Sequence, residues 1–407
     1  MTTPTTQTPA LRRPALMILA LVLVALNLRL AITSAAALLT MLTEAGALNS
    51  VTVVLVPAIP TAVFAVAGVS TARLASRWGV ERTVAVGLAV LALGLIIRAI
   101  PAPWIVVAGT VIATGGLAVV NILLPAVVRL HFARNIGTVT TIYSTAMSLG
   151  AATAAATAVP VALALGSPTL GLAAWAIPAL IALTVWAIVM PLQRPARVAP
   201  PADDAAAARG ARQPLPAGTW LLASFFALQS LLSYVIMGWL PTIAVGSGLS
   251  PERAGVLLGI AMAVGVPGTV LIMPLARGAK RMRLGFAIVA SATAGGVLGF
   301  LFAPLALPEV WAGLLGLGMC AFPLALGLIA SIGRDAIESA RVSTTVQSIG
   351  YTVATLGPLG AGALHQAVGS WTPVLVLLAV GAAVQATVGL VLTGVVWRGR
   401  AAVKTVE

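Results

Sequence analysis

The chain has 407 residues, of which 60% are hydrophobic and only 8% charged, and its mean hydropathy of +1.09 lies far above that of soluble domains. No water-soluble core could hide that much apolar surface, so the bilayer is the solvent to reason with. The formal net charge is +14, but the placement of the basic residues accounts for it without a nucleic-acid partner.

The opening segment, residues 1–14, is polar and then basic. It reads as a cytoplasmic lead-in to a first helix too long for a cleaved signal peptide. A spanning helix needs about 20 mostly apolar residues. Such runs are predicted at 14–42, 51–72, 83–100, 104–128, 137–163, 170–192, 218–245, 252–276, 284–303, 308–332, 342–364 and 370–396. Lipid leaves only helices or closed barrels as spanning structures, and continuous apolar runs of this length exclude the alternating pattern of a barrel.

The expected fold is therefore an all-α integral membrane protein of twelve transmembrane helices in two pseudo-symmetric six-helix bundles, residues 1–192 and 218–407. The cytoplasmic linker between them, 193–217, is rich in Pro, Ala, Asp and Arg and has no hydrophobic periodicity. Repeats support the two halves: Ser148-Leu149-Gly150 recurs as Ser348-Ile349-Gly350, Gly116-Leu117 as Gly316-Leu317, and Asn27 in the first span is mirrored by Gln229 in the seventh. Such halves place a ligand near the midplane and alternate its access by rocking. With both termini in the cytoplasm, every Lys and Arg except Arg29, Arg98 and Arg253 falls on a cytoplasmic segment, as retention of positive charge inside requires.

Arg29 lies mid-span, where a charge costs on the order of 2.5–3.5 kcal/mol. All nine acids fall in loops, tails or helix ends, so no intramembrane carboxylate faces it. Two readings stay open. Arg29 ties helices together through backbone carbonyls and amides such as Asn27 or Gln347, or its guanidinium faces a central cavity and takes an anionic or electron-rich ligand. The second reading disfavours cationic substrates. Asn121, Tyr143, Gln229, Tyr234, Gln347 and Tyr351 are further polar residues within spans that could orient a small ligand or bridge helices. No intramembrane Asp or Glu is present to shuttle a proton; His131 is expected in a cytoplasmic loop and His365 near the outer end of the eleventh span. The lone cysteine, Cys320, can form neither an internal disulfide nor a cysteine metal site, and no cofactor or metal is expected. No phosphate-binding glycine loop of an ATP-driven pump occurs, and no nucleophile, base or acid pair gathers at one membrane face as a membrane enzyme would need.

Between the second and third spans, Leu74, Ala75, Arg77 and Gly79 resemble the cytoplasmic gating motif of the major facilitator superfamily, with Arg73, Ser76 and Arg82 in the same segment. Ser76 stands where the motif has Asp. The chain more closely resembles one branch of that superfamily, the cyanate and 2-nitroimidazole transporters. The resemblance runs through Leu26-Asn27-Leu28-Arg29, Asn121-Ile122-Leu123-Leu124-Pro125, His131-Phe132, Tyr143, Gln229-Ser230-Leu231, Trp239-Leu240-Pro241-Thr242 and Gln347-Ser348-Ile349-Gly350-Tyr351. It implies a monomeric permease of the inner membrane, not an enzyme, for a small anionic or electron-rich solute. The residues expected to hold that solute are Arg29, Asn27, Asn121, Tyr143, Gln229, Tyr234, Gln347 and Tyr351. A drug or metabolite exporter of the same superfamily is the competing expectation.

Overall fold

The computed structural model describes residues 14–132, 135–190, 215, 216, 218–276, 279–322, 324, 325, 328 and 336–404. The N-terminal lead-in and, apart from residues 215 and 216, the 193–217 linker lie outside the described residues. The described elements are helical: α1 Pro14–Glu44, α2 Ser50–Trp78, α3 Val80–Ile97, α4 Pro103–His131, α5 Ile136–Ala164, α6 Pro168–Ala173, α7 Ala176–Val189, α8 Thr219–Gly246, α9 Pro251–Ile272, α10 Ala279–Phe302, α11 Pro308–Gly318, α12 Ala336–Val368 and α13 Thr372–Lys404. Among the described residues, ten spans are long and apolar enough to cross a membrane, counting α6 and α7 as one span from Pro168 to Val189. They match the expected spans, except that the expected 308–332 span coincides only in part with α11, and the expected 342–364 span lies within the longer α12.

Local chemistry sets the helix ends. Asn49 caps α2, its Oδ1 accepting from the Val51 and Thr52 amides at 3.0 and 2.9 Å while Thr52 Oγ1 accepts from the Asn49 amide at 2.8 Å. Proline opens α4, α6, α9 and α11 at positions where its missing N–H costs nothing. Gly79, with φ 85°, is the sole non-helical residue between α2 and α3. The segment expected as a gating loop is thus nearly continuous helix. Arg73, Ser76, Arg77 and Arg82 are exposed along it, and Ser76 Oγ donates to the Arg73 carbonyl at 2.9 Å. His131 is the last residue of α4 rather than a loop residue, and its Nε2 lies 3.1 Å from Glu81 Oε1. Trp186 of α7 donates to the Glu81 carbonyl at 3.0 Å, so this pair ties α3, α4 and α7 together at the arginine-bearing end.

Glycines set the closest approaches, and they repeat. A Cβ on Gly150 would sit 2.1 Å from the Leu26 carbonyl, and one on Gly350 2.2 Å from Phe226, so 150 and 26 map to 350 and 226. Gly94 lies against Ala113 and the Gly109 carbonyl as Gly296 lies against Leu315 and the Trp311 carbonyl, each 202 residues further on (94 to 296, 113 to 315, 109 to 311). Gly116 packs on Leu91 as Gly318 packs on Thr293. The contacts therefore pair Gly116 with Gly318, not with Gly316 as the sequence match suggested. Small residues of this kind allow helices to approach where lipid offers no hydrophobic drive to associate.

Helices before residue 190 meet those after 218 at the end opposite the arginine-bearing end, which carries Arg73, Arg77 and Arg82. Added Cβ atoms on Gly255 and Gly259 of α9 would lie 2.6 and 3.0 Å from the Ala155 and Ala152 carbonyls of α5, and one on Gly238 of α8 would lie 2.8 Å from Pro57 of α2. Gln366 of α12 donates to the Ser50 carbonyl of α2. On the α5 face that carries Ala152 and Ala155, Gly137, Thr141 and Thr145 near the arginine-bearing end are exposed. The two groups of helices are zipped at one end and part toward the other.

Candidate functional site

Arg29 sits where α1, α2, α8 and α12 converge. It is half-buried, and its Nη1 contacts Met237 Sδ of α8 at 3.9 Å. No carboxylate lies within ion-pair distance of it among the described residues. Tyr234 and Tyr351 are both within electrostatic range of its guanidinium. Their ring centroids are 6.5 Å apart at 73°. Phe64 of α2 reaches across to Tyr351 at 6.4 Å, and Phe226 of α8 meets the same ring edge-on at 5.7 Å. The result is a lone guanidinium beside a cluster of rings drawn from both groups of helices. Such a site can hold an oxygen or nitrogen acceptor on the cation and a flat or apolar body on the rings.

Of the eight residues expected at the site, the structure brings together Arg29, Tyr234 and Tyr351. Asn27 is turned away by the helical period, since two residues along α1 rotate about 200°. It is 2% exposed, and its Nδ2 donates to the Leu23 carbonyl at 2.8 Å and to the Pro178 carbonyl of α7 at 3.1 Å. Gln229, also 2% exposed, donates to Ser233 Oγ at 2.8 Å and accepts from Gln385 of α13. Asn27 and Gln229 occupy equivalent places in the repeat, and each bonds inward to the last span of its own half. Gln347 donates to Ser343 Oγ, one turn earlier on its own helix, at 2.6 Å. Tyr143 is half-buried against the core of the first helices, and Asn121 is exposed on α4.

The Gln229–Gln385 pair gives a test of this division. Gln229→Leu alone leaves Gln385 buried and unpartnered, at a cost of about 1–3 kcal/mol. The double variant Gln229→Leu/Gln385→Leu is expected to recover most of that loss and to transport normally, as read by thermal unfolding and flux. A double variant that is stable but inactive would return Gln229 to the binding site.

Phe64, Phe226 and Met237 were not anticipated. Apolar side chains in an apolar span carry no signal that one face is turned to a ligand rather than to lipid.

Residues 17–358 match the model of the Major Facilitator Superfamily. The chain belongs to the major facilitator superfamily. It is 34% identical over 368 residues to a 2-nitroimidazole transporter of Escherichia coli, spanning 89% of this chain and 91% of the relative. It is 27% identical over 352 residues to the cyanate transport protein CynX of the same organism, spanning 85% and 89%. Among solved structures it superposes on a bacterial homologue of the human lysosomal transporter Spinster, inward-facing and unoccupied, with a TM-score of 0.75 at 13% identity, covering 95% of this chain and 98% of that one. A D-xylose–proton symporter superposes with a TM-score of 0.69 at 14% identity, covering 94% and 97%. As a member of the superfamily the chain is a multi-pass transporter of the inner membrane and not an enzyme. The buried amides Asn27 and Gln229 each hydrogen-bond from one span to another.

Proposed function

We propose that this transporter moves a small anionic or electron-rich polar solute, cyanate- or nitroimidazole-like, by alternating access, with Arg29 as its central clamp. The observation that carries the reading is a guanidinium at the meeting of both groups of helices with a thioether, two phenols and no carboxylate around it. Such a cation is costly in the membrane until an acceptor reaches it. The 2-nitroimidazole and cyanate transporters among the relatives support the same solute class. Residues 1–192 and 218–407 rock as two halves about this point. The arginine-bearing end is cytoplasmic, and the present shape is open to the cytoplasm.

Tyr234, Tyr351 and Phe64 supply the rest of the site. The phenols donate hydrogen bonds to acceptors that the guanidinium does not reach, and the rings exclude water. Because Phe64 and Tyr351 come from different halves, a solute held between them favours closure over the site.

The test is thermal stabilisation of the purified protein by cyanate, by 2-nitroimidazole and by lipophilic organic cations, comparing wild type with Arg29→Gln. Stabilisation by cyanate or 2-nitroimidazole is expected, with apparent affinity lowered roughly 10- to 100-fold in the variant, the loss of one charge-assisted hydrogen bond or more. Equal stabilisation of both proteins, or a response to lipophilic cations alone, overturns the clamp. The ring cluster Phe64–Tyr351–Phe226–Phe322 would then serve a broad apolar substrate in an exporter.

A further inference from the structure

Arg98 follows the last residue of α3 at the zipped end of the molecule, yet it is 0% exposed. Its aliphatic stem lies over Gly109, where an added Cβ would come within 2.8 Å of Cγ. Its Nη1 donates to the Ala31 carbonyl of α1 at 3.2 Å, while Nε and Nη2 have no hydrogen-bond partner among the described residues. No carboxylate pairs with it there. The C-terminal carbonyls of α3 offset only part of the cost of desolvating a charge.

The fold does not ask for a charge at this point. The repeat that carries Gly94 to Gly296 and Gly109 to Trp311 carries Arg98 to Phe300, which is 2% exposed and lines a wholly apolar cavity with Ile236, Leu240, Leu315, Leu375 and Leu378. One half thus fills the position with a ring, while the other buries a guanidinium and keeps Gly109 small to admit it.

A small cavity lies nearby, lined by neighbours of Arg98 and not by Arg98 itself. Ala31, whose carbonyl accepts from the guanidinium, lines it, as does Thr110, the neighbour of Gly109, together with Ala35, Pro57 and Gly238. Its free space is on the scale of a single water molecule. It lies beyond Arg29 toward the zipped end, between Pro57 of α2 and Gly238 of α8.

We propose that Arg98 is a second anion site, taking a small monovalent anion at the closed end of the first half. Its two unpartnered N–H groups are the donors. The occupant is either the transported solute on its way past Arg29 or an ambient halide, which share this chemistry.

The experiment measures unfolding temperature in sodium bromide against sodium gluconate at equal ionic strength, then in cyanate, for wild type, Arg29→Gln, Arg98→Met and Arg29→Gln/Arg98→Met. Bromide is expected to raise the midpoint of wild type and Arg29→Gln by roughly 2–4 °C at saturation and to leave Arg98→Met unmoved. In gluconate, Arg98→Met should melt no lower than wild type, since it removes an uncompensated buried charge. A cyanate shift that survives in Arg29→Gln and vanishes in the double variant assigns the site to the solute; a shift with bromide alone assigns it to an ambient halide. A bromide response that persists in Arg98→Met, or a variant that melts lower in gluconate with its response intact, makes Arg98 a structural brace and overturns the proposal. If Arg98→Met does not fold, bromide-soaked wild-type crystals decide: an anomalous peak beside Arg98 supports the site, and its absence at saturation overturns it.

Discussion

Crosslinking of a Ser50→Cys/Gln366→Cys pair with a short, reducible thiol-specific linker is expected to stop transport, and reduction is expected to restore it. The two positions belong to α2 and α12, and in the native protein the Gln366 amide donates to the Ser50 carbonyl. Both are exposed at the zipped end and open to a thiol reagent. A disulfide needs Cβ atoms about 3.5–4.5 Å apart, so the two cysteines, which lack the reach of the Gln366 side chain, are joined instead by a short, reducible bis-methanethiosulfonate linker. The native Cys320 is buried, so a Cys320→Ala background keeps the chemistry at the new pair. Alternating access requires this end to open once per cycle, and a covalent tie holds it shut without touching Arg29. Solute flux in proteoliposomes, with and without reductant, reads the effect. Full flux in the crosslinked protein would mean that the α2–α12 contact does not part during transport.

Gly150→Leu is the second change with a large expected effect. Gly150 places α5 so close to α1 that any Cβ would stand 2.1 Å from the Leu26 carbonyl, a rigid backbone atom three residues before Arg29. Overpacking typically costs about 1–3 kcal/mol and more where backbone must move, which for a chain of 407 residues corresponds to a fall in unfolding temperature of roughly 1–4 °C or more. Gly115→Ala is the control, because nothing lies within 4 Å of the position an added Cβ would take there. It should melt within a degree or two of wild type or slightly higher, given the better helix propensity of Ala. If Gly150→Leu melts with the control, the α1–α5 approach is looser than described. A surviving but displaced α1 should show weakened solute binding as well, through Arg29.

Much of the fold was legible because lipid makes the sequence speak in long apolar runs. Ten of the expected spans coincide with helices long and apolar enough to cross a membrane. Arg29 was legible for the converse reason, since a charge in mid-span is too costly to be incidental. Asn27 and Gln229 were read as repeat partners, and their equivalent hydrogen bonds bear out that kinship. What the one-dimensional pattern could not supply is direction around each helix. Asn27 lies two residues from Arg29 and on nearly the opposite face, so polar character alone assigned it to the wrong side of α1 for joining the Arg29 cluster. Arg98, just past the end of α3, was read only as one of three basic residues off the cytoplasmic segments. Its complete burial depends on Gly94 and Gly109 letting α3 and α4 close over it, a relation between two helices that neither segment reveals by itself. The interrupted sixth span and the lone Gly79 between α2 and α3 were hidden for a simpler reason: helix geometry continues through both neighbourhoods with the same apolar composition.

The unpaired charge of Arg29 also bears on membrane voltage. A fixed positive group that reorients empty carries charge through part of the electric field, whereas the same group joined to a monovalent anion reorients as a neutral unit. Moving one such anion into an inside-negative cell works against about 2.3 kcal/mol for each 100 mV, close to a fifty-fold bias in the distribution it can sustain. A neutral nitroaromatic solute escapes that bias altogether. On the proposed reading of Arg29 as an anion clamp, the sign of the potential turns an anion outward unless another gradient opposes it, and a current recorded during anion flux, but not during neutral-solute flux, is the expected electrical signature.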